Sequence, residues 1–394
     1  MLIPISNTPR DYGWGSRTLI ADALGRPAGP GPEAELWLGA HPGSPSRIDD
    51  PSQAGGAPDL AAWIDADPEA ALGEGLERLP FLLKLLAAAA PLSLQAHPSP
   101  EQAREGFARE NALGIPLDAA HRNYKDAFAK PELVVALSER FEALSGFRDP
   151  AEVVALLQPL RAVLAATAAE APLGRLLGLL ETGDLRGAFE WLITRGDGAD
   201  ALVRGISDAV STASASPELA TAAALAEAYP GDPGIVIALL LNRVSLARGE
   251  SIYLPAGNIH AYLEGLGVEL MTASDNVLRG GLTPKHVDVP ELLSVLDFRP
   301  LPAPYLPAVP AGPGATLFAP DGADFRLVAL EPGEAAAVVE LTGPAILIAT
   351  AGALQLEGEV TRGAVARGES RYVTPDERTL RVSGAGTAFL ATTA

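Results

Sequence analysis

The chain has 394 residues, of which 48% are hydrophobic and none is cysteine, and its formal net charge is −20. This length is typical of two or three domains with a large core, and the lack of cysteine excludes disulfides, thiolate zinc sites and cysteine nucleophiles. The acidic balance argues against nucleic acid and anionic membranes as partners, although a local group of Arg and Lys side chains can still bind an anionic substrate.

The first 50 residues predict a strand around Leu36 and Leu38, where apolar and polar positions alternate. Trp14 and Trp37 are interpreted as packing residues rather than as a surface on which a ligand stacks. The chain begins without a basic segment followed by a long apolar one, and no run of 18 residues is uninterruptedly apolar. We therefore expect no secretory signal, no membrane span and a cytoplasmic location.

Residues 79–98 predict two strands that are joined by a turn of small residues. Lys84 is the only charge in the first strand, and it fits an edge position and a site position equally well. In the second strand Ser93, Gln95 and His97 share one face, because successive side chains of a strand alternate. This polar face is compatible with simple exposure to solvent as well as with a site.

A helix is predicted after Ser99, which forms a capping box with Gln102. Further along the chain, Pro131 excludes a helix and favours an extended Lys130. Glu132 then enters an apolar strand, so it is a carboxylate at the start of a strand.

Residues 149–246 differ in composition from the segments on either side. They are rich in Ala and Leu with helical spacing and contain no histidine, which predicts a structural helical insert. Residues 300–313 are rich in proline and predict a linker or an extended crossing. The remaining residues alternate like strands.

One segment of the chain occurs twice. Residues 247–255 recur in similar form as residues 366–375, which suggests two related β-barrels. The first copy continues through a Pro-Ala-Gly turn at residues 255–257 to His260, near the rim of a sheet. The second copy is followed by no histidine, so we assign its barrel a structural role. The predicted domains are a discontinuous catalytic domain (1–148 and 247–299), the helical insert (149–246) and a C-terminal β domain without a metal site (300–394).

A candidate metal site combines polar residues at or near strand ends from three segments: Gln95, His97, Glu132 and His260. Two neutral imidazoles, a carboxylate and an amide oxygen are a plausible ligand set for Zn²⁺, with one position open for water or substrate. Taken singly, each of these residues is more often structural. The other three histidines, His41, His121 and His286, are not expected to bind metal.

Four motifs of the chain resemble the zinc-dependent, cupin-type (type I) mannose-6-phosphate isomerases: residues 92–98, 130–132, 253–263 and 274–285. They occur in the order of the family, and the similarity extends over most of the chain. The resemblance implies a fold that is mainly β with an α-helical insert, namely two cupin-like (jelly-roll) β-barrels plus a helical domain. One departure is Ala129, where the family usually has a histidine that is not a zinc ligand.

The resemblance also implies a set of functional residues. One zinc ion per chain would be bound by Gln95, His97, Glu132 and His260. Arg279 would be catalytic, and the substrate pocket would be lined by Lys84, Ser93, Lys130, Glu269 and Lys285. The implied reaction interconverts mannose 6-phosphate and fructose 6-phosphate by moving a proton between C1 and C2 through an enediolate. The expected partner is therefore a small sugar phosphate, with no nucleic acid or membrane, and we expect a monomer.

This reaction needs a base and a means to stabilise negative charge on oxygen, to which a zinc ion and a guanidinium can each contribute several kcal/mol. Glu269 is our candidate base and Lys130 a further catalytic residue, but a metal-bound water or a lysine could also act as the base. Arg279 fits a role at the enediolate and a role at the phosphate. Two other functions stay open: another cupin metalloenzyme such as a dioxygenase, which typically offers three histidines, and a sugar-phosphate sensor that has lost catalysis.

Overall fold

The computed structural model of the chain describes residues 1–212 and 216–394. Within them the architecture is mixed, with two large antiparallel sheets and twelve α-helices. The strands are β1 (Leu2–Ser6), β2 (Glu35–Leu38), β3 (Arg47–Ile48), β4 (Leu82–Ala88), β5 (Gln95–Ala96), β6 (Glu132–Ala136), β7 (Arg140–Phe147), β8 (Leu241–Ala247), β9 (Ser251–Leu254), β10 (His260–Met271), β11 (Leu278–Arg279), β12 (Tyr305–Leu306), β13 (Val309–Pro310), β14 (Ala315–Phe318), β15 (Phe325–Leu330), β16 (Ala337–Glu340), β17 (Ala345–Glu357), β18 (Arg362–Ala366), β19 (Ser370–Val373) and β20 (Thr379–Thr393). The helices are α1 (Leu19–Ala23), α2 (Leu60–Ala66), α3 (Pro68–Leu72), α4 (Pro100–Ala112), α5 (Pro150–Leu157), α6 (Leu160–Leu164), α7 (Glu170–Glu181), α8 (Leu185–Ile193), α9 (Ala199–Thr212), α10 (Pro217–Ala228), α11 (Gly234–Ala238) and α12 (Val289–Val295).

Each sheet contains ten strands. The first contains β2 and β4 to β12, and the second contains β1, β3 and β13 to β20. The proline-rich residues 300–313 supply β12 to the first sheet and β13 to the second, so they form an extended crossing between the sheets. This strand pairing shows two sheets, and the closure of each sheet into a jelly-roll barrel stays a prediction. Among the described residues, no helix has the length and apolar character that crossing a membrane requires.

β10 is the central strand of the first sheet. Its 12 residues pair with β4, β5, β6 and β7. Gly265 has φ of +122°, which favours glycine, and it lies next to the bulge where the strand pairing becomes irregular. The register places Glu269 opposite Lys84 and His260 opposite Gln95. Residues that are far apart in sequence are therefore neighbours along this one strand.

Among the residues that the structure describes between β7 and β8 there are seven helices, α5 to α11. They share a hydrophobic cluster with the first sheet, in which Phe147 of β7 packs edge-on against Phe189 of α8 with ring centroids 5.9 Å apart. The last helix ends at Ala238, and residues 241–246 of the predicted insert belong to β8, which pairs with β7. The division into three domains stays a prediction.

The repeated segment has the same local structure in both copies. Gly249 and Gly368 have φ of +85° and +86°, and each is followed by a glutamate that closes the turn. The amides of Glu250 and Glu369 donate to the carbonyl three residues earlier at 2.9 Å in both cases. Their carboxylates accept from the amide of that same earlier residue, at 2.8 and 3.1 Å. The sequence repeat is therefore a structural repeat of one strand–turn–strand unit.

Candidate active site

Three buried side chains meet beside the first sheet. His97, Glu132 and His260 are each at most 2% exposed. Nε2 of His97 lies 3.4 Å from Oε1 of Glu132, and Nε2 of His260 lies 3.3 Å from Oε2 of the same carboxylate. One donor atom of each residue lies within 4.8 Å of the other two. The fold thus brings three of the four predicted ligands into a group that could hold a metal ion.

The hydrogen bonds of the two imidazoles indicate which ring nitrogens are free. Nδ1 of His97 lies 2.7 Å from the carbonyl oxygen of Asn276, and Nδ1 of His260 lies 3.1 Å from that of Asn258. Each Nδ1 therefore carries the proton, and each Nε2 presents a lone pair. Neither Nε2 nor Oε2 of Glu132 has a hydrogen-bond partner among the described residues. Two nitrogen lone pairs that face a carboxylate need a cation between them, so the group fits a metal.

The charge states of these groups suit metal binding. Burial lowers the pKa of His97 to about 4 against the opposing pull of Glu132, which keeps the imidazole neutral near pH 7. Burial by itself would raise the pKa of Glu132, but Lys130 and the two histidines outweigh it and hold that pKa well below its ordinary value. Nζ of Lys130 lies 3.2 Å from Oε1 of Glu132. A neutral imidazole and an ionised carboxylate are the forms in which these side chains bind zinc.

Short strands and a tight turn hold the predicted ligands in place. Gln95 lies opposite His260 in the ladder of β5 with β10, and opposite Arg279 in the ladder of β5 with β11. The predicted turn at residues 255–257 is present, and the amide of Gly257 donates to the carbonyl of His97 at 2.9 Å. Gly257 has φ of +79°, a conformation that favours glycine. The turn therefore fixes the backbone on both sides of the metal group.

A cavity of about 360 Å³ opens beside Glu132. This volume lies within the usual range for small-molecule sites, roughly 300–1,000 Å³. Eight of the ten predicted site residues line it: Lys84, Ser93, Gln95, Lys130, Glu132, Glu269, Arg279 and Lys285. The other two, His97 and His260, contact Glu132 instead. All of the predicted site residues therefore lie at this cavity or directly against its wall.

Lys84 forms ion pairs with two carboxylates in the wall of the cavity. Its Nζ lies 2.9 Å from Oε2 of Glu269 and 3.3 Å from Oε1 of Glu35, and only 5% of the residue is exposed. Burial disfavours the charge on Lys84, but the two carboxylates outweigh it and raise the pKa of Lys84 above its ordinary value. Burial also raises the pKa of Glu269, which the charge of Lys84 only partly offsets. Lys84 is therefore a buried residue of the cavity wall and not an exposed edge residue.

Positive charge gathers in another part of the wall. Neither Arg279 nor Lys285 forms an ion pair with the described residues, and desolvation lowers the pKa of Arg279. Desolvation, followed by the charges of Arg279 and Lys125, lowers the pKa of Lys285. Unpaired cations in a protein with a net charge of −20 are what a phosphate-binding site requires. Lys125 was not among the residues that the sequence predicted.

Asn276 joins the metal group to the loop that precedes Lys130 and Glu132. Its side chain is fully buried, accepts from the amide of Lys125 at 2.7 Å and donates to the carbonyl of Phe128 at 2.9 Å. Its backbone carbonyl accepts from Nδ1 of His97. The sequence offered one signal for this role, since Asn276 stands within the polar run that leads to Arg279.

Several cavity residues were not predicted as site residues. Glu35, Tyr12, Asp275 and Tyr262 line the cavity, as do Trp14 and Trp37, which were interpreted as packing residues. Trp37 also packs, because it is 8% exposed and its ring meets His41 edge-on at 4.8 Å. His41 is not in the metal group, and its Nε2 lies 3.4 Å from Oδ1 of Asp275. The hydroxyl of Tyr262 is buried without a hydrogen-bond partner in the described part of the chain.

Comparison with known proteins agrees with this geometry. Residues 2–150 match the family model of the type I phosphomannose isomerase catalytic domain. The mannose-6-phosphate isomerase of Salmonella typhimurium is 39% identical over 390 residues, which cover 96% of this chain and 96% of the relative. That of Escherichia coli is 37% identical over 388 residues, with 96% of each chain covered.

A solved structure shares the fold over its whole length. The crystal structure of a mannose 6-phosphate isomerase bound with zinc and yttrium matches with a TM-score of 0.88 at 36% identity, covering 100% of this chain and 99% of the other. The likeness thus extends over nearly the full length of both proteins in sequence and in structure. The chain therefore belongs to the family of type I phosphomannose isomerases, the mannose-6-phosphate isomerases.

Proposed function

We propose that the protein interconverts mannose 6-phosphate and fructose 6-phosphate and depends on one zinc ion per chain. The observation that carries this proposal is the group of His97, Glu132 and His260, whose donor atoms have no hydrogen-bond partner in the described residues and which adjoins a cavity with unpaired cations. Identity of 39% to a mannose-6-phosphate isomerase over 96% of the chain supports the same reaction. A relative of the same fold was solved with zinc bound, which supports the choice of metal.

Zinc would be held by Gln95, His97, Glu132 and His260. When bound, it would supply a Lewis acid that polarises a substrate oxygen at this end of the cavity. The carbonyls of Asn276 and Asn258 orient the two imidazoles toward the metal position through Nδ1. An amide oxygen, a carboxylate and two imidazoles form a donor set that zinc accepts.

Glu269 is the proposed general base. In the direction of fructose 6-phosphate, its carboxylate takes the proton from C2 of the open-chain aldehyde and returns it to C1. The C2–H bond breaks, a C1–H bond forms, and the hydroxyl proton passes from O2 to O1. The raised pKa of Glu269 brings its basicity closer to neutral pH, where a proton-transfer group works best. Lys84, 2.9 Å away, holds the carboxylate in position.

The remaining predicted residues bind the substrate and stabilise its negative charge. Lys130 faces the cavity beside Glu132 and is proposed to stabilise the negative oxygen of the enediolate. Arg279, which lies opposite Gln95 in the ladder of β5 with β11, is also proposed to stabilise the negative oxygen of the enediolate. Lys285 and Ser93 are proposed to bind the sugar phosphate, and Lys84 to line the pocket through its ion pairs.

A direct test combines metal analysis with turnover. We expect the purified protein to contain close to one zinc per chain and to convert mannose 6-phosphate into fructose 6-phosphate. Treatment with a chelator should abolish both, and added zinc should restore them. Bound zinc together with sugar-phosphate binding, but without isomerisation that responds to the chelator, would instead indicate a sensor that has lost catalysis.

The two possible roles of Arg279 predict different kinetics. If Arg279 stabilises the enediolate, Arg279→Ala should lower kcat by about a hundredfold to a thousandfold while KM changes much less. Lys285→Ala serves as the comparison, because a phosphate-binding cation should raise KM by about tenfold with kcat nearly unchanged. Steady-state kinetics with mannose 6-phosphate measures both. An increase in KM alone for Arg279→Ala would place Arg279 at the phosphate.

The pH dependence should report the ionisation of Glu269. The base must be ionised, so kcat/KM should fall roughly tenfold per pH unit below its pKa. The midpoint should lie above the ordinary glutamate value, since burial and the neighbouring carboxylates raise the pKa of Glu269. Glu35→Gln removes one of those carboxylates and should move the midpoint to lower pH. Zinc content measured at each pH separates this effect from loss of metal, and a midpoint that Glu35→Gln leaves in place would contradict the assignment.

We also infer three finer properties of the protein. Each sheet is proposed to form a cupin-like barrel, which the shared turn of residues 247–251 and 366–370 supports. The domain division into 1–148 with 247–299, 149–246 and 300–394 is retained as a proposal. A cytoplasmic location is proposed because the sequence lacks cysteine and therefore forms no disulfides, and the protein is also proposed to be a monomer.

A further inference from the structure

The segment that joins α10 to α11, residues 229–233, contacts the backbone of two walls of the cavity. The hydroxyl of Tyr229 donates to the carbonyl of Pro91 at 2.7 Å. Oδ1 of Asp232 accepts from the amide of Leu282 at 2.9 Å. Tyr229 and Leu282 themselves line the cavity. The helical region therefore makes direct polar contact with the site.

The two pieces of backbone that this segment contacts carry functional side chains and are bonded to each other. Residues 91–95 carry Ser93 and Gln95, and residues 278–285 carry Arg279 and Lys285. They meet at Leu94, whose carbonyl accepts from the amide of residue 280 at 2.8 Å and whose amide donates to the carbonyl of residue 281 at 3.1 Å. A shift of either piece would therefore move cations and a zinc ligand together.

The backbone at residue 282 is in an unusual conformation. Leu282 has φ of +53°, in the left-handed region that favours glycine, although its side chain is 1% exposed and packs in the hydrophobic cluster. Strain of this kind persists only when the surrounding structure holds the residue. The bond to Asp232 is one such restraint. The same oxygen accepts from the amide of Gly234 at 2.7 Å, so Asp232 also shapes the turn into α11.

We propose that Asp232 is a positioning residue for the isomerisation. Tyr229 is proposed to hold the other wall of the cavity through its bond to the carbonyl of Pro91. By fixing the strained backbone at Leu282, Asp232 sets the loop that presents Arg279 and Lys285 to the phosphate and the reacting end of the sugar. This inference rests on the proposed function. It differs from a purely structural role of Asp232 in the turn before α11, and the two roles predict different results.

Asp232→Ala and Asp232→Asn should separate the two roles. Asp232→Ala removes the acceptor of the Leu282 amide and should lower kcat/KM by about tenfold. This loss is smaller than the roughly hundredfold loss in rate that a 1 Å misplacement can cause. Inorganic phosphate should become a weaker competitive inhibitor by a similar factor, because the cations are no longer held in place. Asp232→Asn keeps a side-chain oxygen at this position and should stay within about twofold of wild type on both measures. Equal losses in the two variants, or none in Asp232→Ala, would overturn the proposal.

A matched control comes from the same helical region. Asp184 accepts from the amide of residue 187 at 2.8 Å at the start of α8, so Asp184→Ala deletes the same kind of bond away from the cavity. It should leave the inhibition constant of phosphate unchanged, and a change as large as that of Asp232→Ala would overturn the proposal. If Asp232→Ala does not fold, Tyr229→Phe decides: it should lower kcat/KM by about threefold, and full activity would count against the inference. If the wild type does not isomerise mannose 6-phosphate, the proposed function fails, and the phosphate affinities of these variants still decide the role of Asp232.

Discussion

Replacing His97 by alanine is expected to remove the bound zinc and to lower kcat by about a thousandfold, equivalent to about 4 kcal/mol of transition-state stabilisation. The reason is that Nε2 of His97 is one of the buried atoms beside Glu132 that have no hydrogen-bond partner among the described residues and are proposed to bind the metal. With Nε2 of His97 absent, the metal would lose one of its two proposed imidazole ligands, and it would no longer be held where it could polarise a substrate oxygen. Zinc content by elemental analysis and turnover of mannose 6-phosphate measure the two effects.

Thermal unfolding provides an independent readout of the same change. A metal that binds only the folded state raises the melting temperature, so a chelator should lower that of the wild type and leave that of His97→Ala unchanged. The matched control is His121→Ala, since His121 is an exposed histidine outside the metal group. It should retain one zinc per chain and normal turnover. Full zinc occupancy in His97→Ala would show that His97 is not a ligand.

Local sequence signals predicted those parts of the molecule that depend on nearby residues. The capping box at Ser99 and Gln102 is present at the start of α4, because both of its bonds lie within one turn of helix. The repeated turn needs only glycine and a glutamate three residues after an alanine, and both copies form it. The predicted strand that carries Ser93, Gln95 and His97 on one face is only partly present, because β5 contains just Gln95 and Ala96. Glu132 and His260 were selected because they stand at or near predicted strand ends, and the family motifs then implied the same ligand set.

Features that depend on the register between distant strands could not be predicted from the residues. Lys84 fitted an edge and a site equally well until the pairing of β4 with β10 placed Glu269 opposite it. Glu35 carried no local signal, since its partner Lys84 lies on the neighbouring strand, 49 residues away in sequence. The proposed role of Asp232 could not be predicted from the sequence either, because its partner Leu282 is 50 residues away.

Glu269→Gln is expected to lower kcat by about a hundredfold to ten-thousandfold, the usual contribution of a general base, with little change in KM. The amide has nearly the shape of the carboxylate, so the cavity and its other residues should stay in place, but it cannot accept the proton from C2. Exchange of that proton with heavy water offers a second measurement, since the variant should lose exchange at C2 together with turnover. Near-normal turnover would exclude Glu269 as the base.

Two controls separate loss of the base from loss of charge. Glu264→Gln changes an exposed glutamate on the same strand and should leave kcat unchanged. Glu35→Gln also removes a carboxylate from Lys84, yet it retains Glu269, so its kcat at pH 8 should stay within about tenfold of wild type. If Glu35→Gln lost as much activity as Glu269→Gln, the essential feature would be the charge balance around Lys84. A much larger loss in Glu269→Gln alone assigns proton transfer to Glu269, because the two carboxylates share Lys84 and differ in their position on the cavity wall.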